Sequence, residues 1–148
     1  MKLILIVFSI FFSTAAYCQE TKSITVNIDS ITGKSQCYII VGSGGGFTGQ
    51  VIKYFLLGNG NVYQSNSLIK ESSWIKRLSK KETKSVYKKL DALQLDKMNF
   101  KHPGNVSYFI EKHGKDKVNS VTWGDNTNTV PAEVDSAYQF IMTKVSNK

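Results

Sequence analysis

Arginine, cysteine, histidine and proline are all scarce in this chain, and each scarcity closes off a class of function. Arg77 is the only arginine although the net charge is +8, so the basicity is carried almost wholly by lysine. Phosphate and base-edge recognition lean on the planar, bidentate guanidinium fork. Specific nucleic-acid binding is therefore not expected, whereas weak attraction to anionic surfaces follows from the charge alone. The two cysteines are Cys18 and Cys37, and the two histidines are His102 and His113. No C-x-x-C, H-x-x-x-H or D-x-D-x-D-G spacing occurs, so the sequence predicts neither a metal site nor a cofactor. Beyond residue 20 no apolar run approaches the length needed to cross a bilayer.

The long apolar run that does exist stands at the start, in "MKLILIVFSIFFSTAAYCQE". Lys2 provides a positive n-region, residues 3–12 an apolar core, and residues 13–16 a small-residue stretch. This is the pattern of a secretory signal peptide over residues 1–18, with Ala16 and Cys18 at −3 and −1 of a cut before Gln19. An uncleaved anchor is one alternative. Another is a lipoprotein anchored through Cys18, which the bulky Tyr17 in front of it disfavours. Export to the periplasm or the extracellular space is the expectation. Residues 19–148 then form one domain of about 130 residues, enough to bury roughly two-thirds of the unfolded surface. With Cys18 removed, Cys37 has no partner within the chain, and in "CYIIV" it reads as a small buried hydrophobe.

Periodicity gives the layout. "SITVNIDSI" alternates Ile24, Val26 and Ile28 against polar residues and reads as a half-buried strand. "QCYIIV" reads as a more uniformly apolar and so more central strand. "QVIKYFLL" is a third, and Asn59–Gly60 turns the chain into a fourth at "NVYQS". In "LSKKETKSVYKKLDALQL", Ser79 and Glu82 form an S-x-x-E capping box that starts a helix. Val86, Leu90 and Leu93 fall on one face of that helix, and Lys80, Lys81, Lys84 and Lys88 on the other. "NVSYFIEKHGKDKVNSVTWGD" reads as a hairpin with strands near residues 106–111 and 117–123, His113 lying in the exposed turn. Val118 and Val121 share a side of it only with a bulge. The chain ends in a helix with Pro131 in its first turn and a core stripe of Val134, Ala137, Tyr138, Ile141, Met142 and Val145. The predicted class is α+β: an antiparallel sheet of about six strands, in the order β-β-β-β-α-β-β-α, with two amphipathic helices on one face.

Five glycines crowd "VGSGGGFTGQ" between positions 42 and 49. They are not a phosphate cradle. No lysine stands where the Walker loop requires it, Phe47 occupies the third glycine position of a dinucleotide fingerprint, and the following segment is a strand rather than a helix. A positive-φ connection or backbone nest between antiparallel strands is expected instead. "GSGGGFTG", "HPGN" and "TWGD", in this order, resemble the signature of a family of uncharacterised small secreted proteins of Bacteroidetes. The resemblance runs from about Cys37 to the C-terminus and suits a cut before Gln19. It implies secretion and carries no assigned chemistry, so it transfers no catalytic residue.

Hairpin geometry places "HPGN" (102–105), before one strand, beside "WGD" (123–125), at the end of the next. His102, Asn105, Trp123 and Asp125 could thus line one cleft, with Phe47 and Thr48 joining if the glycine loop ends on the same side. As a ligand site this is an aromatic platform with a few polar groups, suited to a sugar or peptide. As architecture it is a pair of turns, with Asp125 satisfying local amides. The leading expectation is an exported, non-enzymatic domain that binds a protein or glycan partner. Two other readings stay open: a small hydrolytic enzyme using His102 and Asp125, and a surface-docking protein using the lysine-rich helix.

Overall fold

The computed structural model describes residues 26–33, 37–69 and 71–146. The leader, its cut before Gln19, Cys18 and Ile24 lie outside the described residues. Within them the elements run α1 (Ile28–Thr32), β1 (Tyr38–Gly45), β2 (Gln50–Leu57), β3 (Asn61–Asn66), β4 (Glu71–Arg77), α2 (Lys80–Leu93), a 3-10 turn (Leu95–Lys97), β5 (Lys101–His102), β6 (Val106–His113), β7 (Val118–Trp123) and α3 (Ala132–Val145). The class is α+β.

Seven strands form one sheet in the order β4-β3-β2-β1-β6-β7-β5. The apolar run of β1 lies at its centre because both of its faces are covered. Ile39 and Val41 face the helices, and Ile40 faces the opposite side. On the helix side Leu56, Val62, Ile110 and Val121 join Val86, Leu90 and Leu93 of α2 and Val134, Ala137, Tyr138, Ile141 and Val145 of α3 in one core. Met142, the remaining member of the α3 stripe, packs half-buried against it. On the other side Ile40, Phe55 and Phe109 form a smaller cluster beneath Ile28 of α1. Polar ties hold the helices in register. Lys112 of β6 pairs with Asp91 of α2, Lys144 of α3 reaches Glu82 of α2 at 3.4 Å, and Lys76 of β4 donates to the Ser146 carbonyl at 2.7 Å.

Several sequence expectations are corrected. The segment expected as a first strand turns helical at Ile28, because Asn27 takes an extended conformation and its side chain accepts the Asp29 N–H at 2.9 Å, a local N-cap. The strand expected at "NVYQS" forms as β3, and an unforeseen strand, "ESSWIKR", follows it before α2 at the sheet edge, its pairing with β3 slipping at Val62/Tyr63. The sheet is mixed rather than antiparallel, since β5 pairs with β7 in parallel after the chain reverses at Pro103–Gly104 and β7 enters between β5 and β6. His113 is not in the turn but ends β6, stacked on Tyr38 with centroids 4.4 Å apart and 2.8 Å from the Glu111 carboxylate. The β6–β7 register runs unbroken, so Val118 faces solvent while Val121 is buried, and no bulge forms. Pro131 sits at the N-cap of α3, immediately before its first turn.

Candidate functional site

The two ends of the sheet are built differently, and the three glycine-bearing motifs all meet at one of them. The Gly46 N–H donates to the Asn105 carbonyl at 2.7 Å, and the Asp125 N–H donates to the His102 carbonyl at 3.1 Å. Gly45 pairs with Val106, and His102 with Trp123. The glycine loop therefore does reach the "HPGN"/"WGD" end. What brings the motifs together is backbone contact. A Cβ on Gly104 would overlap the Gly124 carbonyl, and one on Gly124, where φ is +147°, would overlap the Val106 carbonyl. Glycine is required because main chains meet there with no room for a side chain.

The six candidate residues at this end differ in burial and in partners. Trp123 offers no ring face to solvent. It is 7% exposed and packs edge-on to Tyr138, with centroids 5.2 Å apart, beside Tyr108. The ring belongs to the core because its β7 position falls on the helix side of the sheet. The Asp125 carboxylate is fully engaged, accepting the Thr127 N–H at 3.0 Å, the Thr127 hydroxyl at 2.6 Å and the Asn128 amide at 2.6 Å. Thr127's hydroxyl first, then its N–H and Asn128, pull the carboxyl down to about 2, leaving a weakly basic group. The His102 ring lies edge-on to Phe100, centroids 4.7 Å apart. Phe47 stands fully exposed at the tip of the 46–49 turn, Thr48 accepts the Gln50 N–H at 3.3 Å, and the exposed Asn105 contributes its carbonyl to Gly46.

Among the described residues the opposite end of the sheet is open. Between the 58–60 turn, the start of β1 and the first turns of α2 lies a cleft of about 1040 Å³, lined by Cys37, Leu78 and Tyr87 with Arg77, Lys80 and Lys84. Local chemistry shapes it. Gly60, at φ +89°, sends the chain into β3 and accepts the Leu78 N–H at 2.9 Å, which fixes the entry of α2. The capping box then closes as the sequence indicates: Glu82 N–H to Ser79 Oγ at 3.2 Å, and Ser79 N–H to Glu82 Oε2 at 3.1 Å. Hydrogen bonds from Ser79 hold the Glu82 carboxyl below its ordinary range, and Lys144 helps. At the back, the Tyr87 hydroxyl donates to the carbonyls of Cys37 and Leu56 at 3.4 and 3.3 Å, and burial pushes its pKa well above the usual tyrosine range.

Sequence reasoning singled out Lys80, Lys84 and Cys37 but assigned them separately, to a solvated helix face and to the core. They share a wall because the 58–60 turn lays α2 across the start of β1, a tertiary placement that no local pattern encodes. A smaller cleft of about 470 Å³ lies between Tyr54, Tyr108 and Tyr138 near the C-terminal turns of α3. Burial raises the Tyr138 hydroxyl to about 12. Among the described residues no three His, Cys, Asp or Glu side chains gather as a metal site would require, and no helix is long and apolar enough to cross a membrane. A scan against protein-family models and a search of curated proteins returned no match.

Proposed function

We propose that the chain is an exported, non-enzymatic binding domain, acting in the periplasm or outside the cell, whose ligand enters the cleft between the 58–60 turn and α2. The cleft of about 1040 Å³ carries this reading, because its size is just above the roughly 300–1,000 Å³ typical of ligand pockets. The leader and the three motifs resembling the secreted Bacteroidetes family support export. Reading the glycine end as architecture follows from its crowded main chain, and it moves the binding site to the other end of the sheet.

A cleft-blocking variant tests the site. A Cβ on Gly58 meets nothing closer than the Cys37 carbonyl at 3.7 Å, so Gly58→Trp inserts a ring into the cleft without crowding the main chain. A thermal-shift screen of glycans, peptidoglycan fragments, nucleotides, metals and amphiphiles should find a compound that stabilises the wild type and not Gly58→Trp. At about a hundred times its dissociation constant such a ligand adds roughly 2.7 kcal/mol. Stabilisation that survives Gly58→Trp, or a screen with no response, overturns the assignment and favours a macromolecular partner. The tyrosine cleft supports a second reading, since aromatic faces beside Gln139 and Thr143 suit a sugar. An oligosaccharide whose stabilisation is lost in Tyr108→Ala and kept in Gly58→Trp would assign it.

A further inference from the structure

The chemistry of the cleft wall specifies what enters it, given the reading above that this cleft is the ligand site. Most of its neutral polar groups are already engaged. The Ser79 hydroxyl donates to Glu82 at 2.8 Å, the Thr83 hydroxyl to the Ser79 carbonyl at 3.0 Å, and the Tyr87 hydroxyl to two main-chain carbonyls. The Asn59 side-chain oxygen accepts the Asn61 N–H at 3.0 Å, and its carbonyl takes the Arg77 Nε–H at 3.3 Å. What remains toward the opening is mostly apolar surface, to which the stems of Lys80 and Lys84 add their methylenes.

Charge at the mouth is one-sided. Arg77, Lys80 and Lys84 face a single carboxylate, Glu82, and that group is held by Ser79 and Lys144. Neither Lys80 nor Lys84 forms an ion pair among the described residues. A sugar would find few free partners here, and a small inorganic anion would leave the apolar floor wet. Lysine ammoniums are compact point charges, and two of them one helical turn apart can hold a single carboxylate between them, while the apolar floor takes an aliphatic chain. We propose that the cleft binds a fatty acid, with the aliphatic chain against Leu78, Tyr87 and Cys37 and the carboxylate held between Lys80 and Lys84.

Cys37 gives a direct readout. The full chain is expressed with its own leader, and the protein is recovered as the cell processes it. Maleimide labelling of Cys37 is followed by mass spectrometry of its peptide, which keeps it apart from Cys18. Dodecanoate, below its aggregation threshold, should slow labelling about tenfold or more, while acetate should not. Dodecanol should bind about tenfold more weakly than dodecanoate, the scale of one lost charge-assisted contact. The double variant Lys80→Gln/Lys84→Gln should erase that preference and leave dodecanol affinity unchanged. Equal affinity for the two probes, or no protection by dodecanoate, overturns the fatty-acid assignment. If another compound then protects Cys37 in the wild type and not in Gly58→Trp, the ligand class falls and the cleft stands. If dodecanoate stabilises the protein without protecting Cys37, or equally in Gly58→Trp, the cleft itself falls.

Discussion

The two ends of the central sheet solve opposite problems with the same residue type. At the end where β1 finishes, Gly45, Gly104 and Gly124 let three stretches of main chain approach within the space a single methyl would occupy. At the end where β1 begins, Gly58 borders open volume, and Gly60 turns the chain close against the Leu78 carbonyl, where it sets the entry of α2 over the cleft. One end is closed by main chain, and the other is left open and rimmed with cations. The distinctive motifs of the sequence lie at the closed end, and the cleft proposed to take a ligand lies at the open one. A memorable signature can therefore mark what the fold cannot change rather than where a ligand sits.

The same substitution made at both ends breaks this comparison most sharply. Gly104→Ala should cost on the order of 3 kcal/mol or more, because the new Cβ meets the Gly124 main chain and neither strand can withdraw without losing the β5–β7 and β6–β7 pairings. Gly58→Ala should stay within about 0.5 kcal/mol of the wild type, as surface changes do. Urea midpoints of the two variants measure the contrast directly, and similar losses would remove the distinction. Gly49→Ala separates crowding from torsion within the closed end. Its φ is +62° and nothing lies within 4 Å of a Cβ, so only the left-handed strain of about 1–2 kcal/mol should appear.

At the open end Ser79→Ala removes the cap that anchors α2 over the cleft and should cost about 1 kcal/mol. Its signature is local. Amide exchange should quicken in the first turn of α2, around Glu82 and Thr83, while the β6–β7 amides keep their protection. Loss of protection across the whole sheet would mean that the cleft end is not an independently opening unit.

Legibility in the sequence follows the range of the interaction that decides each feature. The capping box, the faces of α2 and α3, the Asn59–Gly60 turn and the apolar β1 and β2 are set by neighbours a few residues apart, and all can be read from the chain. "ESSWIKR" escapes because a strand at the sheet edge carries little apolar alternation, and Lys101–His102 is too short to carry any. "VNIDSI" misleads because Asn27 and Asp29 can cap a helix as readily as they can decorate a strand. At the candidate site, hairpin logic brings "HPGN" to "WGD", but the facing of Trp123 depends on which side of β7 the helices cover. The cleft is not visible at all, since Cys37 and Lys84 meet only through the packing of α2 on the sheet.

The smallest expected effect tests whether the charge at the closed end is structural, as the glycines there are. Asp125 is held down to about 2 by Thr127 and Asn128, against about 3.9 for an unperturbed aspartate. Between those values the unfolded chain binds the proton and the folded chain does not, so acid weakens the fold across this window. The contribution is complete above the unfolded pKa and exhausted below the folded one. Asp125→Asn keeps an acceptor oxygen and removes the ionisation. Its deficit in urea midpoint relative to the wild type should therefore be constant above about pH 5 and shrink toward zero as pH approaches about 2. A deficit independent of pH would show that the carboxylate's charge does not hold the loop. A deficit accompanied by lost ligand stabilisation at neutral pH would move the binding site back to the glycine end. Asp125→Asn should loosen the 125–128 turn and leave dodecanoate protection of Cys37 intact.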